Sequence, residues 1–140
     1  MLYRKIASKI ESFLKSEKKR MLVVSGARQV GKSYIIREVG MRLYSNFIEV
    51  NMEEDKQSNR LFENARTVED FMIALSTIAG AKMKDSEKTL VFIDEIQAYS
   101  HLLTLAKFLV EDGRFTYIAS GSQLGIALKT TQSIPIGSIE

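Results

Sequence analysis

The residues best suited to chemistry in this sequence lie in one stretch, Gly26 to Ser33, which reads GARQVGKS. It fits the pattern G-x-x-x-x-G-K-[ST], in which a loop between a strand and a helix turns its backbone N–H groups inward around a phosphate chain. Gly26 and Gly31 allow the backbone conformations and close approach that such a loop requires. Lys32 would reach the β- and γ-phosphates, and the Ser33 hydroxyl would ligate Mg²⁺. The stretch therefore predicts a phosphate-binding loop.

The predicted nucleotide contacts cover the whole loop and the residue that follows it. They come from Gly26, Ala27, Arg28, Gln29, Val30, Gly31, Lys32, Ser33 and Tyr34. Arg28 either positions phosphates or braces the loop from outside, and the sequence favours neither. Residues 20–25 form an apolar run typical of a buried strand, and residues 34–44 have helical periodicity. Because strand, loop and helix are the context that the motif requires, a chance match is disfavoured.

Two carboxylates end a second informative stretch, TLVFIDEIQ, at residues 89–97. Its four consecutive apolar residues predict a central parallel strand that is covered on both faces. Asp94, at the end of this strand, is expected to hold Mg²⁺ directly or through water. Glu95 is expected to orient and deprotonate a water for attack on the γ-phosphate, which favours hydrolysis over transfer to a second substrate. The alternative for Glu95 is a cap on the following helix or a surface ion pair.

A third polar cluster, Ser120-Gly121-Ser122, ends another predicted strand at residues 115–119. A serine hydroxyl here could touch the γ-phosphate or the attacking water, although a serine-rich turn that closes a strand is at least as common. Ser122 is preferred over Ser120 because Gly121 lets the chain turn toward the nucleotide. Gln97 is interpreted as polarity at a helix entry rather than as a residue that orients water.

An alternation of strands and helices must position these clusters, and it predicts a parallel α/β sheet with helices on both faces. Ligands bind such sheets at the carboxyl ends of the strands, where all three polar clusters fall. In the first half of the chain, the other predicted elements are an amphipathic helix from residue 2 to about 17–19, a strand at 47–52 and a loop over 53–64 with a turn around 60–62. They are followed by a helix from an N-cap at Thr67 to about 81 and a charged loop over 82–88. In the last part we predict a helix ending at Gly113, a short helix over 124–129 and an extended segment from 134.

The spacing of apolar residues also predicts which side chains are buried. In the helix after Thr67 they are Val68, Phe71, Met72, Leu75 and Ile78. Phe71, Phe92 and Phe108 lie at core-like spacings, so a base-stacking role for these three aromatic residues is disfavoured.

The composition is that of one globular domain, with 140 residues of which 45% are hydrophobic and 26% are charged. We expect an N-terminal helix over residues 1–19 and an α/β core over 20–140. The absence of cysteine excludes disulfides and thiolate metal sites. The single histidine, His101, is interpreted as a helix-start residue. The apolar runs are too short to span a membrane and the N-terminus lacks the apolar core of a signal peptide, so a cytoplasmic location is expected.

The net charge of +3 is mild, but basic residues crowd the first 20 positions. A basic N-terminal helix is able to contact nucleic acid. The alternative, a solvated helix face, is favoured because charge runs of this kind usually serve solubility.

Taken together, these motifs resemble those of the AAA+ superfamily of P-loop ATPases, and within it a bacterial and archaeal branch of predicted ATPases. That branch has a loop of the form G-x-R-Q-V-G-K-[ST], a D-E-I-Q strand end and a T-G-S-type sensor strand. The corresponding stretches here are residues 26–33, residues 94–97 and the ASGS of residues 119–122.

The resemblance implies ATP and Mg²⁺ as cofactors, with Ser33 and Asp94 on the metal. It implies three catalytic residues: Lys32 on the phosphates, Glu95 as the base and Ser122 as a sensor. It also implies the three-layer sandwich of P-loop NTPases with the strand order 5-1-4-3-2, of which the fifth strand is incomplete here. The N-terminal amphipathic helix is predicted from the spacing of its apolar residues.

The sequence departs from the branch in two places. Gly137-Ser138 stands where the branch usually has a Gly-Arg pair, whose arginine is a candidate finger for a neighbouring active site. Members also usually continue into a helical lid and a C-terminal domain. The chain is therefore expected to be a truncated ATPase core whose incomplete fifth strand invites association with further copies.

The expected function is binding of Mg-ATP and its hydrolysis to ADP and phosphate, weak in this core, to drive a conformational change in an attached domain or partner. A nucleotide-binding interaction module without turnover is the first alternative. A small-molecule phosphotransferase is the second. It is disfavoured because its acceptor pocket would need arginines from a lid, for which Arg60 and Arg66 are the candidates.

Overall fold

Strands and helices alternate along the chain, as the spacing of apolar residues predicts. The computed structural model describes residues 2–16, 20–26, 31–84, 88–122 and 132–135. Its helices are α1 (Leu2–Lys15), α2 (Lys32–Leu43), α3 (Met52–Gln57), α4 (Val68–Ala79) and α5 (Ser100–Asp112). Its strands are β1 (Leu22–Ser25), β2 (Asn46–Asn51), β3 (Thr89–Asp94), β4 (Thr116–Gly121) and β5 (Gln132–Pro135). Two 3₁₀ turns, Gly80–Lys84 and Ile96–Ala98, follow α4 and β3.

The strands form one parallel sheet in the order β2-β3-β4-β1-β5. This is the 5-1-4-3-2 order implied by the resemblance, which is confirmed. The strand before the phosphate loop, β1, lies inside the sheet because β4 pairs with one edge of it and β5 with the other. The extended segment expected from residue 134 begins two residues earlier, at Gln132. The short helix expected over 124–129 lies outside the described residues.

Side chains alternate between the two faces of each strand, and helices cover both faces. On one face, Val23 and Ile93 belong to a core cluster that α4 and α5 complete. On the other, Val24 and Phe92 belong to a cluster with α1 and α2. Strand β3 is buried at each of its positions, which confirms the prediction of a central strand covered on both faces.

Helix α1 packs beside α2 and runs in the same direction. Its buried side chains are Ile6, Ile10, Phe13 and Leu14, as the amphipathic pattern predicts. Tyr3 contacts Tyr34 near the starts of the two helices, and Glu11 pairs with Arg42 near the end of α2. The N-terminus of α1 therefore lies beside the N-terminus of α2. Helix α1 ends at Lys15, before the predicted end.

Helix α2 packs closely on β2 and β3 at Gly40. A Cβ atom at this position would lie 2.8 Å from side-chain atoms of both Leu90 and Phe47. A larger residue would push α2 away from the sheet, because a close-packed interior has no room for it. Arg37 adds a bidentate ion pair to Glu49 on β2, with N–O distances of 2.7 and 2.8 Å. These contacts set the position of α2, whose first residues are the last of the phosphate-loop motif.

The segment after β2 differs from the prediction. The sequence predicts a loop over 53–64, but residues up to Gln57 belong to helix α3, so this part of the prediction is wrong. The side chain of Asn51 caps the helix by accepting a hydrogen bond from the Glu54 N–H at 3.0 Å. Acidic residues in the first turn further stabilise the positive helix N-terminus. A turn follows at Arg60, whose φ is 55°, in the region where a turn is predicted.

Helix α4 begins as predicted, because the Thr67 hydroxyl accepts a hydrogen bond from the Asp70 N–H at 3.0 Å. Its buried side chains include Phe71, Met72 and Leu75 as expected, and Val68 is partly buried. Ile78 is 48% exposed, so its predicted place in the core is wrong. It shares the helical face of Phe71 but lies in the last turn, and helical periodicity does not report whether another element packs alongside.

Helix α5 ends at Gly113 as predicted, with φ of 74° and an N–H that donates to the Leu109 carbonyl oxygen at 3.3 Å. Phe108 is 45% exposed, so its predicted place in the core is also wrong. The neighbouring Leu105 and Leu109 are buried, which leaves Phe108 at the edge of the packed face. The Lys107 ammonium lies 5.2 Å from its ring centroid.

Candidate active site

The phosphate-loop motif lies between β1 and α2, in the context that it requires. The Gly26 N–H donates to the carbonyl oxygen of Gly121 at 3.1 Å, so the start of the loop is tied to the end of β4. Gly26 has φ of 152° and Gly31 has φ of 69°. Both values favour glycine, which confirms the reason for glycine at these positions. Ala27, Arg28, Gln29 and Val30 lie outside the described residues, and their predicted contacts stay predictions.

The Lys32 side chain folds back across the loop. Its Nζ atom donates to the carbonyl oxygen of Gly26 at 2.7 Å, and the side chain is only 2% exposed. An ammonium group so far from water interacts strongly with a nearby anion, because the local dielectric is low. The N-terminus of α2 adds its partial positive charge at the same place. Lys32 and the N-terminus of α2 therefore both favour a negatively charged ligand at this place.

Three donors converge on the carboxylate of Asp94. The Ser33 hydroxyl, on α2, donates to its Oδ2 atom at 3.0 Å. The Ser120 hydroxyl, on β4, donates to its Oδ1 atom at 2.5 Å. The Glu95 N–H donates to the same Oδ1 atom at 2.9 Å. Asp94 is 4% exposed, so these contacts hold a buried carboxylate in one orientation.

Side-chain alternation explains why Asp94 and Ser120 meet. Phe92 on β3 and Ile118 on β4 face the α1–α2 side of the sheet and pair in register. Two residues further along each strand, Asp94 and Ser120 return to the same side. Helix α2 begins there, which brings the hydroxyl of Ser33 to the carboxylate.

The residues at this rim fit a magnesium–nucleotide complex. Mg²⁺ prefers six oxygen ligands, keeps several waters, and is usually bound through one or two carboxylates plus substrate phosphates. A hydroxyl at Ser33 and a carboxylate at Asp94, 3.0 Å apart, supply oxygen ligands of that kind. A metal cage built from protein alone is not what the structure offers, because its described residues contain no group of three or more His, Cys, Asp and Glu suited to an ion.

Glu95 follows Asp94 in a conformation that side-chain-bearing residues seldom adopt, with φ of 52° and ψ of 48°. Such backbone strain costs about 1–3 kcal/mol and is concentrated at functional sites. The side chain is 7% exposed and makes no capping hydrogen bond to the 3₁₀ turn that follows. The missing bond argues against the helix cap, one of the two alternatives that the sequence left open.

Gln97 contacts Glu95 directly, which neither sequence interpretation of Gln97 included. Its Nε2 atom donates to Oε1 of Glu95 at 2.7 Å. This contact assigns the amide nitrogen, since a carboxylate accepts and does not donate. Among the residues that the structure describes, the Oε1 atom of Gln97 is buried without a hydrogen-bond partner. Gln97 therefore holds the carboxylate of Glu95 from one side.

The two serines at the end of β4 differ in their environment. Ser120 is fully buried, and its hydroxyl is the one that contacts Asp94. Ser122 lies just beyond the strand and is half-buried. The sequence prefers Ser122 as the sensor, and that role stays a prediction. The contact of Ser120 with Asp94 is a site feature that sequence reasoning missed, although Ser120 stands in the cluster that it singled out.

A second buried carboxylate, Asp55, supports the turn that follows Glu95. It accepts hydrogen bonds from the N–H groups of Leu61 and Phe62, both at 3.0 Å, and from the Tyr99 hydroxyl at 2.8 Å. Sequence reasoning missed this network, since Asp55 stands in an acidic run that looks like solvated surface. It ties the segment after α3 to Tyr99, which directly follows the 3₁₀ turn Ile96–Ala98.

His101 lies at the start of a helix, as the sequence predicts. It lies in the first turn of α5, and its Nε2 atom is 2.9 Å from the carbonyl oxygen of Phe62. Its ring packs against that of Tyr99, with centroids 5.3 Å apart.

Removal of the hydroxyl group is expected to change the free energy of unfolding in opposite directions at two buried tyrosines. Tyr99→Phe is expected to lower the free energy of unfolding by about 1.5–3 kcal/mol, because a hydrogen bond to a buried carboxylate is lost. Tyr117→Phe is expected to raise it by about 1 kcal/mol, because the Tyr117 hydroxyl is buried without a partner among the described residues. Urea or thermal unfolding of the two variants, which lose the same atom, measures both effects. A loss of stability in Tyr117→Phe would contradict the second expectation.

The contribution of these two tyrosines to the free energy of unfolding depends on pH in the alkaline range. Burial raises the pKa of Tyr117, and burial followed by the hydrogen bond to Asp55 raises the pKa of Tyr99. An unfolded tyrosine ionises near pH ~10, so both groups contribute stability below that pH and lose it as the pH rises further. Tyr117→Phe is therefore expected to lose less stability than the wild type above about pH 10.

Three features define a P-loop nucleotide-binding domain. They are the strand order of the parallel sheet, the glycine-containing loop between β1 and α2, and the contact between Ser33 and Asp94 at the ends of the strands. The family comparison agrees with this class. A family model described as "AAA domain" matches residues 18–140, which is most of the sequence. The chain belongs to the AAA domain family, whose members are ATP-binding proteins of the ATPase class. The particular bacterial and archaeal branch that the motifs indicate stays a prediction.

Comparison with solved structures supports the fold. The chain is similar to the structure of C. elegans PCH-2, with a TM-score of 0.51 and 14% sequence identity. The match covers 95% of this chain and 40% of that chain, so this chain corresponds to less than half of PCH-2. At this identity the likeness concerns the fold. No curated protein matches the sequence significantly.

Proposed function

We propose that this chain binds Mg-ATP at the carboxyl ends of β1, β3 and β4 and hydrolyses it to ADP and phosphate. The observation that carries the proposal is the convergence on Asp94, which accepts hydrogen bonds from Ser33 beside the phosphate loop and from Ser120 on β4. A buried carboxylate beside a phosphate-loop hydroxyl is the arrangement that binds a metal–nucleotide complex. Membership in the AAA domain family supports ATP as the nucleotide.

Each site residue has one task in this proposal. Lys32 binds phosphate oxygens through the ammonium group that contacts the Gly26 carbonyl oxygen. Ser33 and Asp94 hold the Mg²⁺, which when bound neutralises negative charge on the β- and γ-phosphate oxygens. Glu95 takes the proton of the attacking water, and Ser122 donates a hydrogen bond to the γ-phosphate.

In the whole protein the proposed cycle drives a conformational change in an attached domain or partner. Association with further copies is part of the proposal, since β5 is a short strand at one edge of the sheet that the described residues form. A cytoplasmic location is also proposed. Within the described ranges, no helix has the length and apolar character needed to cross a membrane. Nucleic-acid contact through α1 stays a prediction, and one of its basic residues, Lys15, pairs with Glu11 at 2.9 Å.

The test measures ATP affinity and phosphate release with Mg²⁺ and with EDTA, for the wild type and for Asp94→Asn. The wild type is expected to bind ATP about tenfold more tightly with Mg²⁺, and to release phosphate only when Mg²⁺ is present. In Asp94→Asn the tightening by Mg²⁺ is expected to fall to about twofold, because a neutral amide replaces the carboxylate.

Asp112→Asn is the matched control, because Asp112 lies at the end of α5 and pairs with Arg114 at 3.0 Å. It is expected to keep the full effect of Mg²⁺. Equal tightening in wild type and Asp94→Asn would contradict the metal role of Asp94. A folded wild-type chain that binds no ATP with Mg²⁺ would contradict the proposed function itself.

A nucleotide-binding module without turnover is the second candidate, and the contact between Gln97 and Glu95 favours it. The Glu95 carboxylate already accepts a hydrogen bond from Gln97 at 2.7 Å on Oε1, so this oxygen is partly occupied and is less available to the attacking water. Incubation of the wild type with Mg-ATP for hours separates the two candidates. Bound ATP that remains intact supports the module, and steady formation of ADP supports the ATPase.

A small-molecule phosphotransferase is not proposed. Arg60, one of its two candidate arginines, donates to the Lys56 carbonyl oxygen and to Glu63 within its own turn. Arg66, the other, is an exposed residue just before α4.

A further inference from the structure

The five tyrosines of the chain fall into two groups. Tyr44 and Tyr99 donate hydrogen bonds from their hydroxyls to neighbouring side chains, and Tyr117 is buried in the core. Tyr3 and Tyr34 are instead 38% and 62% exposed. Packing therefore explains the first three tyrosines and leaves the aromatic surface of the other two open to solvent.

The two exposed tyrosines contact each other across the α1–α2 interface. Their ring centroids lie 6.4 Å apart, and the ring planes are inclined by 44°. This tilted geometry is a favourable one for two aromatic rings. Because most of the Tyr34 side chain stays exposed, the contact with Tyr3 covers only part of it. The pair forms a joined aromatic surface rather than a buried core contact.

This aromatic pair lies beside the residues that are proposed to bind phosphate and metal. Tyr34 directly follows Ser33 on α2 and is two residues from Lys32, about 3 Å along the helix axis. Tyr3 lies in the first turn of α1, which runs parallel to α2. A nucleotide with its phosphates at the N-terminus of α2 has its ribose and base close to that helix end. Tyr3 and Tyr34 are the exposed aromatic residues there within the described part of the chain.

We infer that Tyr3 and Tyr34 form a platform on which the base of the bound nucleotide stacks. This inference rests on the proposed function, since it needs a nucleotide whose phosphates lie in the loop. Aromatic side chains hold bases through their π faces, and the larger face of a purine offers more contact than that of a pyrimidine.

The platform includes a residue of α1, a helix that lies outside the match to the AAA domain family. The match to the AAA domain family begins at residue 18, whereas α1 ends at Lys15. Contact with Tyr3 therefore gives α1 a part in nucleotide binding, in addition to the packing of its apolar face on the core. Nucleotide binding is then expected to protect the first turns of α1 from hydrogen exchange.

The test compares Mg-ATP, which has a base, with Mg-tripolyphosphate, which has none, by titration calorimetry on the full chain. Tyr34→Ala and Tyr3→Ala are each expected to weaken ATP binding about tenfold, which is typical for the loss of one stacked aromatic residue. Their tripolyphosphate affinity is expected to stay within about twofold of the wild type, because the phosphate loop is unchanged. Tyr34→Phe and Tyr3→Phe keep the ring and are expected to retain ATP affinity.

Met41→Ala is the control on the same helix, since Met41 is 58% exposed and lies two turns after Tyr34. It is expected to bind both ligands as the wild type does. A second signal is available because the chain has no tryptophan. ATP is expected to quench tyrosine emission in the wild type, and to quench it less in Tyr34→Phe.

The outcomes separate this inference from the proposed function. A wild-type chain that binds neither ligand overturns both. If the wild type binds both ligands, two results overturn the platform alone: alanine variants that keep full ATP affinity, or alanine variants that lose both ligands equally. A base platform requires that ATP affinity fall while tripolyphosphate affinity holds.

Discussion

Glu95→Gln is expected to lower the rate of ATP hydrolysis by about 10²–10⁴-fold while ATP affinity stays within about threefold, which is the usual effect of removing a general base. The substitution keeps the size of the side chain and an oxygen that can accept the hydrogen bond from Gln97. It removes the group that takes a proton from the attacking water. Single-turnover phosphate release measures the rate, and calorimetry measures the affinity.

Glu54→Gln is the control for this prediction, because Glu54 is an exposed carboxylate on α3. It is expected to leave both quantities unchanged. A Glu95→Gln chain that hydrolyses ATP at the wild-type rate would show that another group, or none, acts as the base. A Glu95→Gln chain that loses ATP binding instead would show that Glu95 contributes to the binding of ATP before the reaction.

Lys32→Met is expected to weaken ATP binding by about 10²–10³-fold, because loss of one partner from a desolvated ion pair costs roughly 2–5 kcal/mol. The Lys32 ammonium lies 2.7 Å from the Gly26 carbonyl oxygen, and Lys32 is almost wholly removed from water. Methionine fills most of the same volume without the charge. Calorimetry with Mg-ATP measures the loss of affinity.

The control for the lysine variant is Lys107→Ala, which removes an exposed ammonium group on α5. It is expected to keep ATP affinity. Similar affinity in Lys32→Met and wild type would contradict a phosphate-binding role for Lys32. The two variants at the site also separate ATP binding from ATP hydrolysis. Lys32→Met is expected to lose both binding and hydrolysis, whereas Glu95→Gln is expected to lose only hydrolysis.

Sequence reasoning predicted the parts of the structure that depend on near neighbours in the chain. The cap at Thr67 joins residues three apart, and the helix stop at Gly113 joins residues four apart. The positive φ values at Gly26 and Gly31 follow from a loop that must approach a ligand closely. In each case the signal and the structure lie within one turn of chain, so the signal could be read directly.

Sequence reasoning was weaker where other elements decide the outcome. The strand order came from the resemblance to a family, because pairs such as Leu22 with Ile118 join residues far apart in the sequence. Ile78 and Phe108 have core-like spacing but are exposed, since spacing reports a helix face and not what packs on it. Helix α3 was missed because an acidic, polar run resembles a loop, and its cap, Asn51, stands at the end of a strand.

At the site, the sequence by itself determined which residues are proposed to carry the chemistry: the loop glycines, Lys32, Ser33, and the carboxylates at 94 and 95. The tertiary structure decided which of them meet. Ser33 reaches Asp94 across 61 residues of sequence, Ser120 reaches it across 26, and Tyr99 reaches Asp55 across 44. These contacts form because of the register of β3 against β4 and the packing of α2 against the sheet. Both are set by many buried contacts between residues distant in sequence, which no local pattern encodes.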